Sequence, residues 1–267
     1  MITRDRNVSE DDGTITGPNV VKAGSIASDV YLEFDSCRAT KIYRPTWYVK
    51  ALYWLAFQAP FPYKANEHAL EAARQRRILA GLLTRAKFGR EVVAQVIEIY
   101  CTETRCEFVT ELVAGSYPMK RQEGRRFLGE VSDLFGRAGL DTWQVWRWNP
   151  KSLGNVIETP GGEFMIIDLE SSLVTPPLPL SHIWNSIKTA QVPSFDDVNF
   201  PALRAYVEEN AGTLQEALGD EDYAFLLEAI ERCHEHMHAW KDSEPRIWGR
   251  SLRFVYRLLS RQTPPHM

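Results

Sequence analysis

Two polar residues, Asn155 and Asp168, stand at opposite ends of a segment that is otherwise typical of a β-hairpin. The segment NVIETPGGEFMIIDLE contains two strand-like runs joined by a Pro-Gly-Gly turn, so pairing of the strands would bring the two side chains together. A divalent cation that bridges phosphate oxygens needs hard oxygen ligands on a rigid support, and an aspartate that follows three apolar residues is costly to bury unless it binds something. The pair therefore predicts a metal site; the alternative for Asp168 is a turn-initiating aspartate beyond a buried strand.

The elements that would position this hairpin divide the chain into a strand-rich half and a helix-rich half. Residues 1–18 are mostly polar and are predicted to form a flexible tail. Residues 19–113 contain the strand-like runs NVVKAG, DVYLEF, CRATKIYR, VVAQVIEIY and CEFVTELV. Residues 114–267 are predicted to be mainly helical. Helices are predicted at 66–84, 121–138, 201–218, 220–240 and 246–261.

The order of these elements resembles the protein-kinase-like superfamily over roughly residues 19–175. Five strands with a helix after the third are followed by a helix, a loop and a hairpin ending in Ile-Asp. The pattern is similar to atypical members, such as quinone-biosynthesis kinase-like proteins and lipopolysaccharide or small-molecule kinases. The resemblance implies an α+β, bilobal fold. A small antiparallel-sheet N-lobe (19–113) with one main helix would face a helical C-lobe (114–267), with ATP and Mg²⁺ bound between them.

The resemblance also implies a role for a lysine on the third strand. Lys41 would hold the nucleotide phosphates, and a glutamate of the following helix would hold Lys41. Glu71 matches that glutamate by its place in the middle of the helix. Glu67 and Gln75, one turn to either side, remain open as the partner. An exposed strand lysine is the alternative interpretation of Lys41.

Other site residues implied by the resemblance surround the same cleft. Asn155 and Asp168 are 13 residues apart, the spacing of the two metal ligands of the family, and Glu170 resembles an acidic residue that could ligate a second ion. Gly24 and Ser25 would fold over the phosphates through backbone N–H groups, unless they form only a hairpin turn. The adenine-contacting hinge would be formed by Glu111, Leu112 and Val113.

The catalytic loop departs from the family pattern. The aspartate expected five positions before Asn155, which accepts the proton of the attacking hydroxyl, is replaced by Pro150. Asn149 could occupy its place if the loop holds one extra residue, but an amide has no basicity. The chain is therefore interpreted either as a slow ATP- and Mg²⁺-dependent phosphotransferase or as a nucleotide-binding pseudokinase that scaffolds without transfer. The acceptor of the first interpretation could be a small molecule, a lipid or a protein.

Two further segments suggest a partner. Residues 47–58 are apolar nearly all round and too short to span a bilayer, which is typical of a buried helix, an interface or a membrane-surface helix. The last predicted helix has a basic face that suits an anionic lipid surface or an acidic protein partner, or is simply solvated. Its arginines are Arg246, Arg250, Arg253, Arg257 and Arg261.

Composition sets the remaining expectations. The net charge of −4 arises from nearly balanced acids and bases, so it gives no reason to expect nucleic-acid binding. The N-terminus lacks the apolar core of a secretion signal, and the four cysteines form no CxxC pair, which predicts a reduced, cytoplasmic protein, with membrane-peripheral action as a variant. Cys101 and Cys106 are predicted to lie at the two ends of a strand connection; the alternative is that they pair in an oxidising setting.

Three histidines, His234, His236 and His238, lie close together on a predicted helix. Two of them, His234 and His238, share a helical face, but too few ligands converge for a zinc site. Surface or interface histidines are the expected interpretation.

Overall fold

The chain is an α+β protein built on a five-stranded antiparallel sheet, which confirms the predicted class. The computed structural model describes residues 7–8, 15–24, 28–44, 47, 66–103, 105–140, 143–146, 149, 152–170 and 198–243. Several predicted features lie outside these residues: Ser25, residues 48–58 of the aromatic segment, Pro150, the stretch 171–197 and the arginine-rich segment 246–261.

Strands β3 to β9 coincide with the predicted runs, whereas β1 and β2 were not predicted. They are β1 (Asn7–Val8), β2 (Ile15–Thr16), β3 (Val20–Gly24), β4 (Ser28–Glu33), β5 (Arg38–Tyr43), β6 (Val96–Cys101), β7 (Cys106–Glu111), β8 (Val156–Glu158) and β9 (Phe164–Ile166). The main sheet has the order β3-β4-β5-β7-β6, with Lys41 on its middle strand β5. Cys101 and Cys106 are directly opposed at the connection of β6 to β7, as predicted for their position. They form a disulfide, which differs from the expectation that the cysteines are reduced, because the strand register places the two residues face to face.

The predicted tail contains a short strand pair. Strands β1 and β2 pair with each other, and Ile15 is buried with Tyr31 and Ile42 in a small apolar cluster. The segment predicted to be a flexible tail therefore contributes Ile15 to the apolar cluster. The physical reason is that one face of the main sheet has apolar side chains to cover, and a single isoleucine from the preceding segment supplies part of that cover.

Successive side chains of β5 point to opposite faces of the sheet and lie in two different environments. Ile42 belongs to the small cluster, whereas Tyr43 belongs to the main core, which the helices share. Lys41 has the same parity as Tyr43 and lies directly opposite Phe108 of β7. Its ammonium group is thereby carried to the helical side of the sheet.

The helices also follow the predicted segments, with one division. They are α1 (Glu67–Phe88), α2 (Arg121–Arg137), α3 (Phe200–Glu209), α4 (Ala211–Leu218) and α5 (Asp220–Ser243). The single helix predicted at 201–218 is two helices, because Asn210 leaves helical geometry and its side-chain Nδ2 donates to the carbonyl of Tyr206 at 2.7 Å. Short 3₁₀ turns cover Trp143–Val145 and Ser152–Asn155.

Helix α1 begins and ends at residues with clear capping chemistry. Asn66 caps it as predicted, since its Oδ1 accepts from the backbone N–H of Ala69 at 3.1 Å. Gly89, at φ 72°, ends it one turn beyond the predicted boundary. Most of the helix is buried, including the charged side chains of Arg76 and Arg77. Helix α1 is therefore a core helix whose buried arginines need hydrogen-bond acceptors or negative charges inside the protein.

The β8–β9 hairpin is attached to the sheet at two points. Ile166 of β9 exchanges backbone hydrogen bonds with the segment before β6, donating to Val92 at 2.7 Å and accepting from Ala94 at 2.8 Å. On the other side, Ser116 and Glu158 exchange two backbone hydrogen bonds of 3.0 and 2.7 Å. The hairpin that carries Asn155 and Asp168 is thus held at a fixed place relative to β5.

Gly115 allows the second attachment, and its replacement is predicted to loosen it. The residue has φ 150°, and a Cβ atom there would lie 2.2 Å from the carbonyl oxygen of Glu158. Gly115→Ala is expected to lower the free energy of unfolding by about 1–3 kcal/mol, measured by denaturant titration. Gly212→Ala in α4, where the added methyl meets open space, is the control and should stabilise by up to about 1 kcal/mol. Equal stability of Gly115→Ala and wild type would contradict the account.

Candidate functional site

Lys41 meets the end of the hairpin across the interior of the molecule. Its Nζ lies 2.9 Å from Oδ1 of Asp168 and 2.8 Å from Oε2 of Glu170. The lysine side chain is only 10% exposed, and the two carboxylates come from a segment more than 120 residues away in sequence. The structure therefore brings together the predicted phosphate-binding lysine and two of the three predicted metal ligands, Asp168 and Glu170.

Arg77 of α1 completes a cluster of two cations and two anions. Its Nε donates to Oε1 of Glu170 at 2.6 Å and its Nη2 donates to Oε2 at 2.9 Å, a bidentate geometry. The guanidinium also lies over the ring of Phe108, 5.6 Å from the centroid. Both side chains are almost completely buried, with 0% exposure for Arg77 and 3% for Glu170. Glu170 is thus the counter-ion of two buried cations.

The two arginines of α1 also hold the backbone that carries these carboxylates. Arg77 Nη2 donates to the carbonyl of Ile167 at 3.0 Å, and Arg76 donates to the carbonyl of Leu169. Gln144, from the turn after α2, donates through Nε2 to the carbonyl of Glu170. Three side chains from two separate elements therefore fix the conformation of the segment 167–170.

Asn155, at the start of the other strand of the hairpin, belongs to the same hydrogen-bond network as Gln144 and the segment 167–170. The backbone N–H of Ile167 donates to the carbonyl of Asn155 at 2.9 Å, so Asn155 and Asp168 lie at the same end of the ribbon. The Nδ2 of Asn155 donates to the carbonyl of Gln144 at 3.0 Å and to its Oε1 at 2.7 Å. Because both amide hydrogens are used in this way, the Oδ1 atom of Asn155 is the one suited to a cation.

The two carboxylates differ in accessibility. The side chain of Asp168 is 31% exposed, whereas that of Glu170 is 3% exposed. A cation arriving from solution can therefore reach Asp168 but not Glu170, whose two oxygens already accept from Lys41 and Arg77. Glu170 was predicted to bind a second metal ion. This does not fit the geometry, because Lys41 and Arg77 already donate to both of its carboxylate oxygens.

The same contrast appears in the proton affinities. Burial raises the pKa of Asp168, and the nearby Glu170 carboxylate adds to this, although Lys41 opposes both. Burial also disfavours ionised Glu170, but the charges of Arg77 and Lys41 outweigh it and hold the pKa of Glu170 well below its usual range. Burial likewise disfavours charged Lys41, and the two carboxylates outweigh it and raise the pKa of Lys41. The pKa of Glu170 is thus lowered and that of Asp168 raised, although both carboxylates contact Lys41.

The helix residues expected to pair with Lys41 lie elsewhere. Glu71 forms an ion pair with Arg74, one turn along α1, at 3.5 Å. Glu67 is exposed at the start of the helix, and Gln75 is buried, with 4% exposure. Glu170 takes the position that the resemblance assigned to Glu71. The reason is that α1 presents arginines to the site, so the acid that balances Lys41 comes from the hairpin end.

The remaining predicted residues are distributed around the sheet and the turn. Gly24 ends β3 opposite Asp29. Glu111 ends β7, where its Oε1 accepts from the backbone N–H of Gln95 at 2.9 Å, and Val113 is half-buried just beyond it. Asn149 is buried, and its carbonyl accepts from the hydroxyl of Ser152 at 2.8 Å.

Sequence reasoning missed Arg76, Arg77 and Gln144. The two arginines lie in the segment QRRILAGLL, among apolar residues spaced as on the buried face of a helix. Adjacent charges in such a segment indicate that a buried acidic side chain pairs with them. Gln144 carries no comparable signal, because an isolated glutamine near tryptophans is compatible with an exposed loop.

Comparisons with known proteins return no relative: no protein-family model matches the chain, and no curated protein matches it. Across the stretches described above, no helix has the length and apolar character needed to cross a membrane. In the same stretches, no three histidine, cysteine, aspartate or glutamate side chains converge as metal ligands.

Proposed function

We propose that the chain is a nucleotide-binding protein of kinase-like fold that uses ATP and Mg²⁺ in phosphoryl transfer. The observation that carries the proposal is the 2.9 Å contact between Lys41 Nζ and Asp168 Oδ1, which joins the middle strand of the sheet to the end of the hairpin. A cation-binding carboxylate beside a buried ammonium group is the pairing needed to hold a metal–triphosphate, since one binds the metal and the other the phosphate oxygens.

Two other features support the proposal. The partly exposed Asp168 and the Oδ1 of Asn155 lie at one end of the hairpin, where a hard cation would find two oxygen ligands. The order of elements around them, with α1 between the third and fourth strands of the sheet, also agrees with the resemblance to the protein-kinase-like superfamily. A bilobal arrangement of sheet and helices around this site is part of the proposal.

A nucleotide must rearrange the cluster in order to bind. Lys41 is held by two carboxylates, so phosphate oxygens would compete with Asp168 for its ammonium group while the metal neutralises Asp168. Glu170 and Arg77 would stay paired and keep Lys41 in place. This exchange requires metal and nucleotide together, so binding of ATP is expected to depend strongly on Mg²⁺.

Thermal unfolding with ATP, in the presence and absence of Mg²⁺, tests the proposal. Binding to the folded state alone stabilises it by about 2.7 kcal/mol when the ligand is about 100-fold above Kd, so a clear rise in Tm is expected for wild type with both ligands. Lys41→Met should lose most of this rise. Lys22→Met is the matched control, because Lys22 is a lysine on the same sheet that pairs with Asp29 instead.

The apo Tm of each variant is measured first, so that a misfolded Lys41→Met protein is not mistaken for one that fails to bind. No rise for wild type at saturating Mg²⁺ and ATP would contradict the proposal, as would an undiminished rise for Lys41→Met.

Turnover of ATP separates the enzyme from the second candidate, a pseudokinase. That candidate is favoured by Asn149, a buried amide without basicity near the place where the family has its catalytic aspartate. Mg²⁺-dependent binding with ATP hydrolysis or transfer that Lys41→Met abolishes selects the enzyme, and binding without turnover selects the pseudokinase. Action at a membrane surface or on an acidic partner is a further proposal that rests on the sequences of 47–58 and 246–261. The acceptor is left open between a small molecule, a lipid and a protein.

A further inference from the structure

Two histidines from different helices face each other on the side of the molecule formed by α1 and α5. His68 is the second residue of α1, and His236 lies in the second half of α5. Their Nδ1 atoms are 3.2 Å apart, and their ring centroids are 5.4 Å apart with the planes tilted by 37°. The pair is accessible, since His68 is exposed and His236 is half-buried.

The distance between the two nitrogens matches that of ligands on one tetrahedral zinc ion. With Zn–N bonds of about 2.0–2.1 Å, two imidazole nitrogens at a tetrahedral angle lie about 3.3 Å apart. The observed 3.2 Å separation is within about 0.1 Å of this value. The two nitrogens thus already have the spacing that a shared zinc ion would impose.

The helices hold this spacing rigidly because they run antiparallel and are fastened along their length. At one end, Asn66 Nδ2 donates to Ser243 Oγ at 2.8 Å, and at the other Arg85 pairs with Asp222. Between them Cys233 Sγ lies 3.7 Å from the carbonyl of Ala72. A pair of ligands mounted on two packed helices loses little conformational freedom on binding an ion.

The other two histidines of α5 are engaged differently. His238 Nδ1 lies 3.1 Å from Asp242, one turn along the same helix, and the His234 ring packs against Phe200 with centroids 4.6 Å apart. His236 is therefore the one of the three that faces a ligand-type side chain on another helix.

We propose that His68 and His236 form a surface site for a borderline transition-metal ion, with Zn²⁺ as the best fit to the geometry. The two imidazoles would supply two ligands, and water or a solute would complete the coordination, because no third protein ligand converges on them in the described stretches. Imidazole pairs select ions of the zinc, copper and nickel class over Mg²⁺. The bound ion would clamp α1, the helix that carries Arg76 and Arg77, to α5.

Titration calorimetry with ZnCl₂ tests the site on the tag-free full chain after treatment with chelator. The variants are His68→Gln and His236→Gln, in which the amide keeps a hydrogen-bonding side chain but is a poor zinc ligand. Each is expected to weaken zinc binding by about tenfold or more, since loss of even an outer-shell partner costs that much. His238→Gln, on the same helix, is the matched control and should bind as wild type does.

Thermal unfolding gives an independent readout. Zn²⁺ should raise the Tm of wild type and of His238→Gln but not of His68→Gln or His236→Gln, and excess Mg²⁺ should not replace it. The chain has six histidines, so heat that is unchanged in both His68→Gln and His236→Gln would assign zinc to other residues and overturn the proposal. Absence of zinc binding to wild type would show that the pair is a hydrogen bond only and would overturn it equally.

Discussion

Replacement of Glu170 by glutamine is expected to lower the free energy of unfolding by about 3–5 kcal/mol, the cost typical of removing one partner from a buried ion pair. Glu170 balances two cations, Lys41 and Arg77, and all three side chains are 10% exposed or less. A glutamine of nearly the same shape would offer the guanidinium one side-chain oxygen in place of two and would remove the negative charge paired directly with it. Because the two side chains have nearly the same volume, the replacement creates almost no cavity. The loss of stability therefore reports the electrostatic role of the carboxylate.

The matched control is Glu231→Gln, which removes an exposed bidentate pair with Arg204. Little change is expected, because exposed ion pairs contribute little to stability. Urea titration of both variants and wild type gives the comparison. Similar small losses for the two glutamates would contradict the description of Glu170 as a buried counter-ion.

The pH profile of the same variant is a second readout. A carboxyl whose pKa is held low in the folded state contributes stability above its ordinary pKa of about 4.3, and this contribution is lost as the pH falls through the lowered value. The stability difference between wild type and Glu170→Gln should therefore be full near neutral pH and shrink in acid. A difference that is constant down to strongly acid pH would contradict the assigned charge state.

Replacement of Asp168 by asparagine is expected to change the stability of the apo protein little and the binding of Mg²⁺ and ATP strongly. Burial and the neighbouring Glu170 raise the pKa of Asp168, so its ionised form is disfavoured in the fold. A neutral asparagine removes that charge while Glu170 still opposes Lys41, so the apo protein is expected to lose much less stability than Glu170→Gln does. If the proposed function is right, Mg²⁺-dependent binding of ATP should weaken by about 100-fold, because a direct ligand of the metal is lost.

Asp29→Asn is the control for this prediction. Asp29 also bridges two cations, Lys22 at 3.2 Å and Arg44 at 3.1 Å, but it lies away from the hairpin. It should lose some stability and keep nucleotide binding. Stability and nucleotide affinity are measured on the same preparations by urea titration and calorimetry. A large loss of apo stability in Asp168→Asn would show that Asp168 is a structural ion-pair partner, and would leave the site without its accessible acid.

Asp168 and Glu170 are two residues apart in sequence but lie in different surroundings. Asp168 is partly exposed and its pKa is raised, whereas Glu170 is buried between two cations and its pKa is lowered. The two variants therefore test different roles of the two acids.

Local sequence patterns determined much of the architecture. Strand-like runs separated by turn residues placed β3 to β7, and Asn66 followed by helically spaced apolar residues placed the start of α1. The Pro-Gly-Gly turn placed the hairpin, and its register brought Asn155 and Asp168 to one end. These features depend on backbone preferences and periodicity within a few residues, so the sequence alone contains them.

Only the tertiary structure decided which charges meet. Lys41, Arg77 and Glu170 are far apart in sequence, and each could have been a solvated side chain on its own. Their partners are set by how β5, α1 and the hairpin end pack together, and a buried charge takes whichever opposite charge that packing brings within reach. This is why the acid that balances Lys41 is Glu170 and not Glu71. It is also why His236, expected to be a surface or interface histidine, meets His68 of another helix.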